Sequence, residues 1–180
     1  MKVILFSCLL ILITSNNLRS AADWDFNTVY SGIISQHNTL RKKHKSGALT
    51  KLSKIEEYAQ ATAKYNAQLG TLKHTREYYN GQPVGQNLYL STWAPSATNV
   101  LTSWYTEEQV HYNYATGESK DGEVTGHFTQ VVWKSTTKIG CGYAVGKWKT
   151  YSNSYFLCCD YYPAGNYQGQ YVKNVLKPTS

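Results

Sequence analysis

One stretch of this sequence gathers side chains able to do chemistry. Gly126 to Cys141 sets a titratable His127 and a polar Thr129-Gln130 pair against an apolar Val131-Val132-Trp133 block and a cysteine. A core strand has no need of an interrupting histidine and glutamine, and a loop has no need of two valines and a tryptophan. Elsewhere His74 lies between Lys73 and Thr75, Gln86 lies in Gly85-Gln86-Asn87-Leu88, and Glu107 and His111 stand one helical turn apart. Histidine with a carboxylate serves general acid-base or metal chemistry, but spacing alone cannot bring these residues together. Nucleophile motifs such as Gly-x-Ser-x-Gly are absent.

The elements that must position these groups begin after a leader. Residues 1–22, with Lys2, an apolar run from Val3 to Thr14 and small residues at Ser20 to Ala22, read as a secretory signal peptide. That run is too short to span a bilayer, which takes about 20 residues, and no later segment is apolar enough. Residues 23–180 then make one domain. Without the leader, 16 basic residues face 11 acidic ones, a charge near +5. Such a bias favours anionic surfaces without specificity, and no specific nucleic-acid partner is expected. The one basic cluster, Arg41 to Lys45, falls at a predicted helix C-terminus, where it complements the helix dipole. Three cysteines remain after the leader, Cys141, Cys158 and Cys159, in an oxidising compartment where three cannot all pair within one chain. On a strand, Cys158 and Cys159 point to opposite faces. Their count and spacing do not make a zinc site.

Apolar residues at Phe26, Val29, Tyr30, Ile33, Ile34 and Leu40 predict an amphipathic helix over 25–43 with His37 on or beside its stripe, a place for a satisfied core group. Ser53 and Glu56 read as a capping box opening a second helix that ends at Gly70. Residues 71–90 read as loop, Ser96 caps a third helix running through Trp104 and Tyr105, and 117–126 read as a flexible loop. Residues 138–145 and 151–161 are predicted strands, and 167–175 a final extended segment. Helices first and strands after argue α+β.

Gly126 to Ser135 resembles the first signature of the CAP superfamily of cysteine-rich secretory, venom-allergen and pathogenesis-related proteins. Cys159-Asp160-Tyr161-Tyr162-Pro163-Ala164-Gly165-Asn166 resembles the second. The resemblance runs from about Tyr30 to Val175 and is closest to single-domain secreted fungal members. It implies an α-β-α sandwich with a central antiparallel sheet and a Cys141–Cys159 disulfide, leaving Cys158 as a buried free thiol or an intermolecular link. It also implies a cleft in which two histidines and two glutamates hold a divalent metal, matched here by His74, Gln86, Glu107 and His127. Gln86 stands where the family has glutamate, so the metal site is expected to be weakened and to favour zinc over magnesium or calcium.

The resemblance further implies binding of a sterol, through Tyr112 and Tyr114 in the segment before the motif histidine, or of a fatty acid, in a groove lined by Val29, Ile33, Val100 and Leu101. No aromatic residue lies between Tyr114 and Phe128, which counts against the sterol. Residues of this kind at helical spacing are also ordinary core. The reading is a secreted, extracellular, monomeric lipid-binding protein that is not an enzyme. The alternatives are a defence or virulence effector acting on a host or cell-wall partner, its sixteen tyrosines suiting recognition, and a metal-dependent hydrolase.

Overall fold

The computed structural model describes residues 24–179, so the expected signal peptide lies outside the described residues. The chain opens with helix α1 (Phe26–Lys43), capped by the Asp25 carboxylate, which accepts the amides of Asn27 and Thr28. Its buried stripe is Val29, Tyr30, Ile33, His37 and Arg41. His37 is the satisfied core histidine expected there. Its Nδ1 lies 2.9 Å from the Ile33 carbonyl and its Nε2 2.9 Å from the Tyr161 hydroxyl.

Arg41 and His44 depart from the dipole reading of the basic cluster, because both are fully buried. Arg41 donates from Nε to the Gly47 carbonyl at 2.7 Å, from Nη1 to those of Val131 and Trp133 at 3.0 and 2.9 Å, and from Nη2 to that of Thr136 at 2.7 Å. Burial lowers its pKa to about 10, so it keeps its charge at neutral pH.

A short strand β1 (Thr50–Lys51) leads into α2 (Ser53–Leu69). The expected capping box is not formed: the N-cap is Leu52 without a side-chain bond, and Glu56 instead accepts the Tyr30 hydroxyl at 2.7 Å. Gly70 ends α2 in the left-handed conformation, φ 66°. The segment expected as loop contains a small hairpin, β2 (Tyr78–Tyr79) with β3 (Gln82–Pro83), and a full sheet strand, β4 (Gly85–Ser91). Helix α3 (Ala97–Leu101) opens with a capping box between Ser96 and Asn99, passes into a π-helical turn (Thr102–Thr106) and ends in α4 (Glu107–Gln109). A hairpin of β5 (Tyr112–Asn113) and β6 (Glu118–Ser119) occupies part of the expected flexible loop. The motif stretch forms α5 (Gly126–Val132) before the long strands β7 (Lys138–Trp148) and β8 (Tyr151–Tyr162). The final segment, expected extended, contains one helical turn, α6 (Tyr171–Asn174).

The main sheet has strand order β1-β7-β8-β4, antiparallel except for the short β1–β7 pair. α2 covers one face, closely enough that a Cβ at Gly140 or Gly142 would lie 2.3–2.4 Å from the α2 backbone. The other face carries α1, α3 and α5 over a core of Ile33, Val100, Trp104, Phe128, Val132, Trp133 and Tyr161. The result is an α-β-α sandwich. Cys141 and Cys159, paired across β7 and β8, form the disulfide, while the free Cys158 is buried on the α2 side with Ala59, Ala63 and Leu88.

Arg41→Ala would strand several buried carbonyls at the α5–β7 turn. Urea unfolding is expected to show a loss of about 3–5 kcal/mol, with only partial recovery in Arg41→Lys, whose point charge cannot fork. A loss under about 1 kcal/mol would mean that water replaces these bonds.

Candidate functional site

Of the four residues matched to a metal cleft, only His74 and Gln86 meet; His127 and Glu107 do not pair with them or with each other. Gln86 points from β4 toward the α2 side, as does Leu88, which packs on Ala59 and Ala63. Its Oε1 lies 2.9 Å from Nδ1 of the exposed His74 and accepts the Thr75 amide at 3.2 Å. Its Nε2 donates to the Thr75 hydroxyl at 3.2 Å and to Asp160 Oδ1 at 3.0 Å. Asn87 points to the opposite side, where its amide donates to the His127 carbonyl at 3.1 Å. The backbone of β4 therefore lies between the Gln86–His74 pair and the segment that carries His127.

His127 is held by Glu108, not by Glu107. The π-helical turn inserts an extra residue's worth of rotation, which leaves Glu107 exposed and turns its neighbour inward. Glu108 Oε2 accepts the amides of His127 and Phe128 at 2.9 and 3.0 Å, and Oε1 meets His127 Nδ1. The Trp104 ring stacks parallel to the His127 ring, with its Nε1 donating to the Leu88 carbonyl. Glu108 thus fixes both the entry of α5 and the orientation of the imidazole. Sequence reasoning missed it because a regular helix would put position 107 there.

These residues do not fit the expected metal site. Among the described residues no three or more His, Cys, Asp or Glu side chains come together in a way that could hold a metal ion. His74 and His127 are engaged in different networks, Glu107 faces solvent, and the Gln86 amide is already saturated.

A different acid occupies the α2 side. Asp160 sits directly opposite Gln86 in the β4–β8 register and is fully buried. Its Oδ1 accepts from Gln86 and from the Cys158 thiol at 3.3 Å, and its Oδ2 has no partner. Burial pushes its pKa up to about 7, opposed by the bonds from Gln86 and Cys158. Burial also raises the Cys158 thiol well above its ordinary value.

A groove runs between α1 and the α3 segment on the opposite layer. One hollow of about 340 Å³ is lined by Trp24, Thr28, Val29, Gly32, Ala94, Pro95 and residues 96–98. A second, of about 220 Å³, is lined by Gln36, Thr39, Leu40, Thr98, Leu101, Thr102 and Thr106. Gly32 permits the close approach of the helices, since a Cβ there would lie 2.9 Å from that of Ala97. Thr98 belongs to both hollows, and Gln36 Nε2 donates to its hydroxyl at 3.1 Å, a polar bridge between them. From Thr28 to Leu40 the groove follows about 18 Å of helix.

Of the expected lipid-lining residues, Val29 and Leu101 reach this groove, whereas Ile33 and Val100 are fully buried core. Tyr112 is also buried, packed against Phe128 and Tyr114 with its hydroxyl unpartnered, and the half-buried Tyr114 accepts a bond from Gln109. Neither ring forms an open ligand surface.

Gln86→Glu would set a second carboxylate against Asp160, so at pH 8 it is expected to cost about 1–3 kcal/mol in urea unfolding, recovered by adding Asp160→Asn. The folded pKa of Asp160 lies above its ordinary 3.8, so its proton favours the fold in acid and that contribution is lost as pH rises from about 4 to about 7. His37 works oppositely: burial lowers its pKa from 6.5 to about 4, so its contribution is lost as pH falls through that window. In calorimetry, Asp160→Asn should raise the Tm at pH 8 and leave it nearly unchanged at pH 4. An equal effect at both pH values would mean that Asp160 is ionised throughout.

The comparisons with known proteins agree with the fold. The family described as the cysteine-rich secretory protein family, CAP, matches residues 34–161. Protein PRY2 of Saccharomyces cerevisiae is 36% identical over 155 residues, covering 84% of this chain but only 41% of the yeast protein, so the chain spans about two-fifths of that relative. The human Golgi-associated plant pathogenesis-related protein 1 is 34% identical over 151 residues, covering 83% of this chain and 93% of its own. The solved structure of venom allergen-like protein 4 of Schistosoma mansoni superposes with a TM-score of 0.60 at 21% identity, covering 83% of this chain and 94% of its own. With both signature stretches folded into one sandwich and these similarities along most of its length, the chain belongs to the CAP family.

Proposed function

We propose that this protein is a secreted lipid carrier whose ligand is a single-chain amphiphile such as a fatty acid, held between α1 and α3. The groove is the observation that carries the reading: its two hollows together fall in the size range of small-molecule sites, about 300–1,000 Å³. Its floor of Val29, Ala97, Leu40 and Leu101 offers apolar contact to an extended chain, and its threonines offer hydroxyls to a polar head. A fatty acid is favoured over a sterol because Tyr112 and Tyr114 are committed to packing, and because the groove is long, following about 18 Å of α1. Catalysis is not part of the proposal, since Glu108 is occupied as the anchor of α5 and its two amides leave it no freedom to act as a base.

A fluorescent fatty acid should bind the purified protein saturably and be displaced by unlabelled palmitate, with a labelled sterol binding at least tenfold more weakly. Thr98→Trp, at the junction of the hollows, should weaken fatty-acid binding at least about tenfold, since the indole fills the junction and keeps the chain from its apolar contact with the floor there, while leaving the Tm within a few degrees. Unchanged binding in that variant, or no saturable binding by the native protein, would reject the groove as the site.

A further inference from the structure

We infer that one end of the sandwich is a docking face for an anionic lipid membrane. Three chain segments meet there. α2 runs alongside β7, so that a Cβ at Gly146 would lie 2.5 Å from the Ala67 carbonyl and one at Gly70 2.9 Å from that of Lys147. The exit of α2 is therefore level with the β7–β8 turn. β4 leaves the sheet at the same end, with Ser91 opposite Tyr155.

What this end exposes is both apolar and basic. Leu69 is 48% exposed, Trp93 62% and Tyr151 51%, each on a different segment. The Trp148 ring stacks on Tyr151 with centroids 6.0 Å apart, and Lys149 Nζ sits 4.4 Å from the Trp148 centroid. Lys147 and Lys149 are exposed. No Asp or Glu occurs in 58–76, 78–106 or 124–159, so all three segments are free of acid. Asp25, near the aromatic cluster around Trp24, is occupied in capping α1.

A bilayer surface matches this chemistry better than a folded partner. Tryptophan and tyrosine prefer the headgroup level, lysines can lay their stems along apolar surface and lift their charge to phosphates, and each contributes about 1 kcal/mol near an anionic surface. Trp24, Ala94 and Pro95, which line the first hollow of the groove, adjoin Trp93, so the groove opens beside the docking face. Docking rests on the surface alone and stands whether or not the groove carries lipid.

The test is co-sedimentation of the purified protein with phosphatidylcholine vesicles, with and without roughly one-third phosphatidylserine. Binding is expected only with phosphatidylserine, with a blue shift of tryptophan fluorescence and loss in high salt. Lys147→Glu/Lys149→Glu should lower the partition at least about twentyfold, and Trp148→Ala should lower it as well. Lys134→Glu/Lys173→Glu, the same change of net charge away from this end, should stay within about twofold. Circular dichroism and an unchanged thermal melt establish that each variant is folded. Equal binding to neutral vesicles, equal losses in both double variants, or retention on an anionic polysaccharide without any vesicle binding would overturn the inference.

Discussion

The Arg41 guanidinium is the contact on which the arrangement of this molecule depends. It projects from the last turn of α1 and gives its donors to carbonyls at both ends of the turn between α5 and β7. One wall of the groove is thereby tied to the segment that carries His127. Among the described residues no acidic side chain pairs with it; the charge is solvated by carbonyl dipoles, which is how a buried cation persists without a counter-ion. Ser46 and His44 extend the same lock, the first to the Val132 carbonyl and the second to the Leu176 carbonyl and the Tyr105 hydroxyl. α1 can therefore present a continuous edge to α3 because its far end is held in place.

Much of the fold was legible because hydrophobic period tracks burial. α1, α2 and the strands β7 and β8 fell within a few residues of their expected bounds. The failures have local physical causes. β4 was read as loop because Gly85, Gln86 and Asn87 are poor strand formers; what makes it a strand is pairing along its whole length with β8. Ser53 and Glu56 matched a capping box, yet Glu56 is more useful to the half-buried Tyr30 hydroxyl. Arg41 looked like a solvated cation at a helix end, and nothing in its sequence surroundings marks the four carbonyls that await it.

The candidate site was legible only in part, and the missing part was geometric. His127 and the family resemblance around it were readable, but the choice between Glu107 and Glu108 turns on a single π-helical turn that propensity does not encode. Among apolar residues of α1 and α3, sequence period cannot separate those facing the sheet from those at the groove's edge. Ile33 and Val29 differ by one turn, and only the second is reached from outside.

The departure at position 86 has a structural counterpart across the strand. In the family pattern that position carries an acid; here it carries an amide, and the residue opposite it in register, Asp160, carries the acid. A carboxylate at both places would bury two like charges with one hydrogen-bond path between them, whereas an amide facing a carboxylate is self-consistent: one group donates where the other accepts. The acid of this pair thus lies at the fully buried position beside Cys158, and the amide lies at the end nearer the exposed His74. Buried there, Asp160 ties β4 to β8 through its bond from Gln86 and is not available as a ligand at the surface. With these cleft side chains engaged in one another, the groove and the basic aromatic end proposed as meeting other molecules draw on different residues.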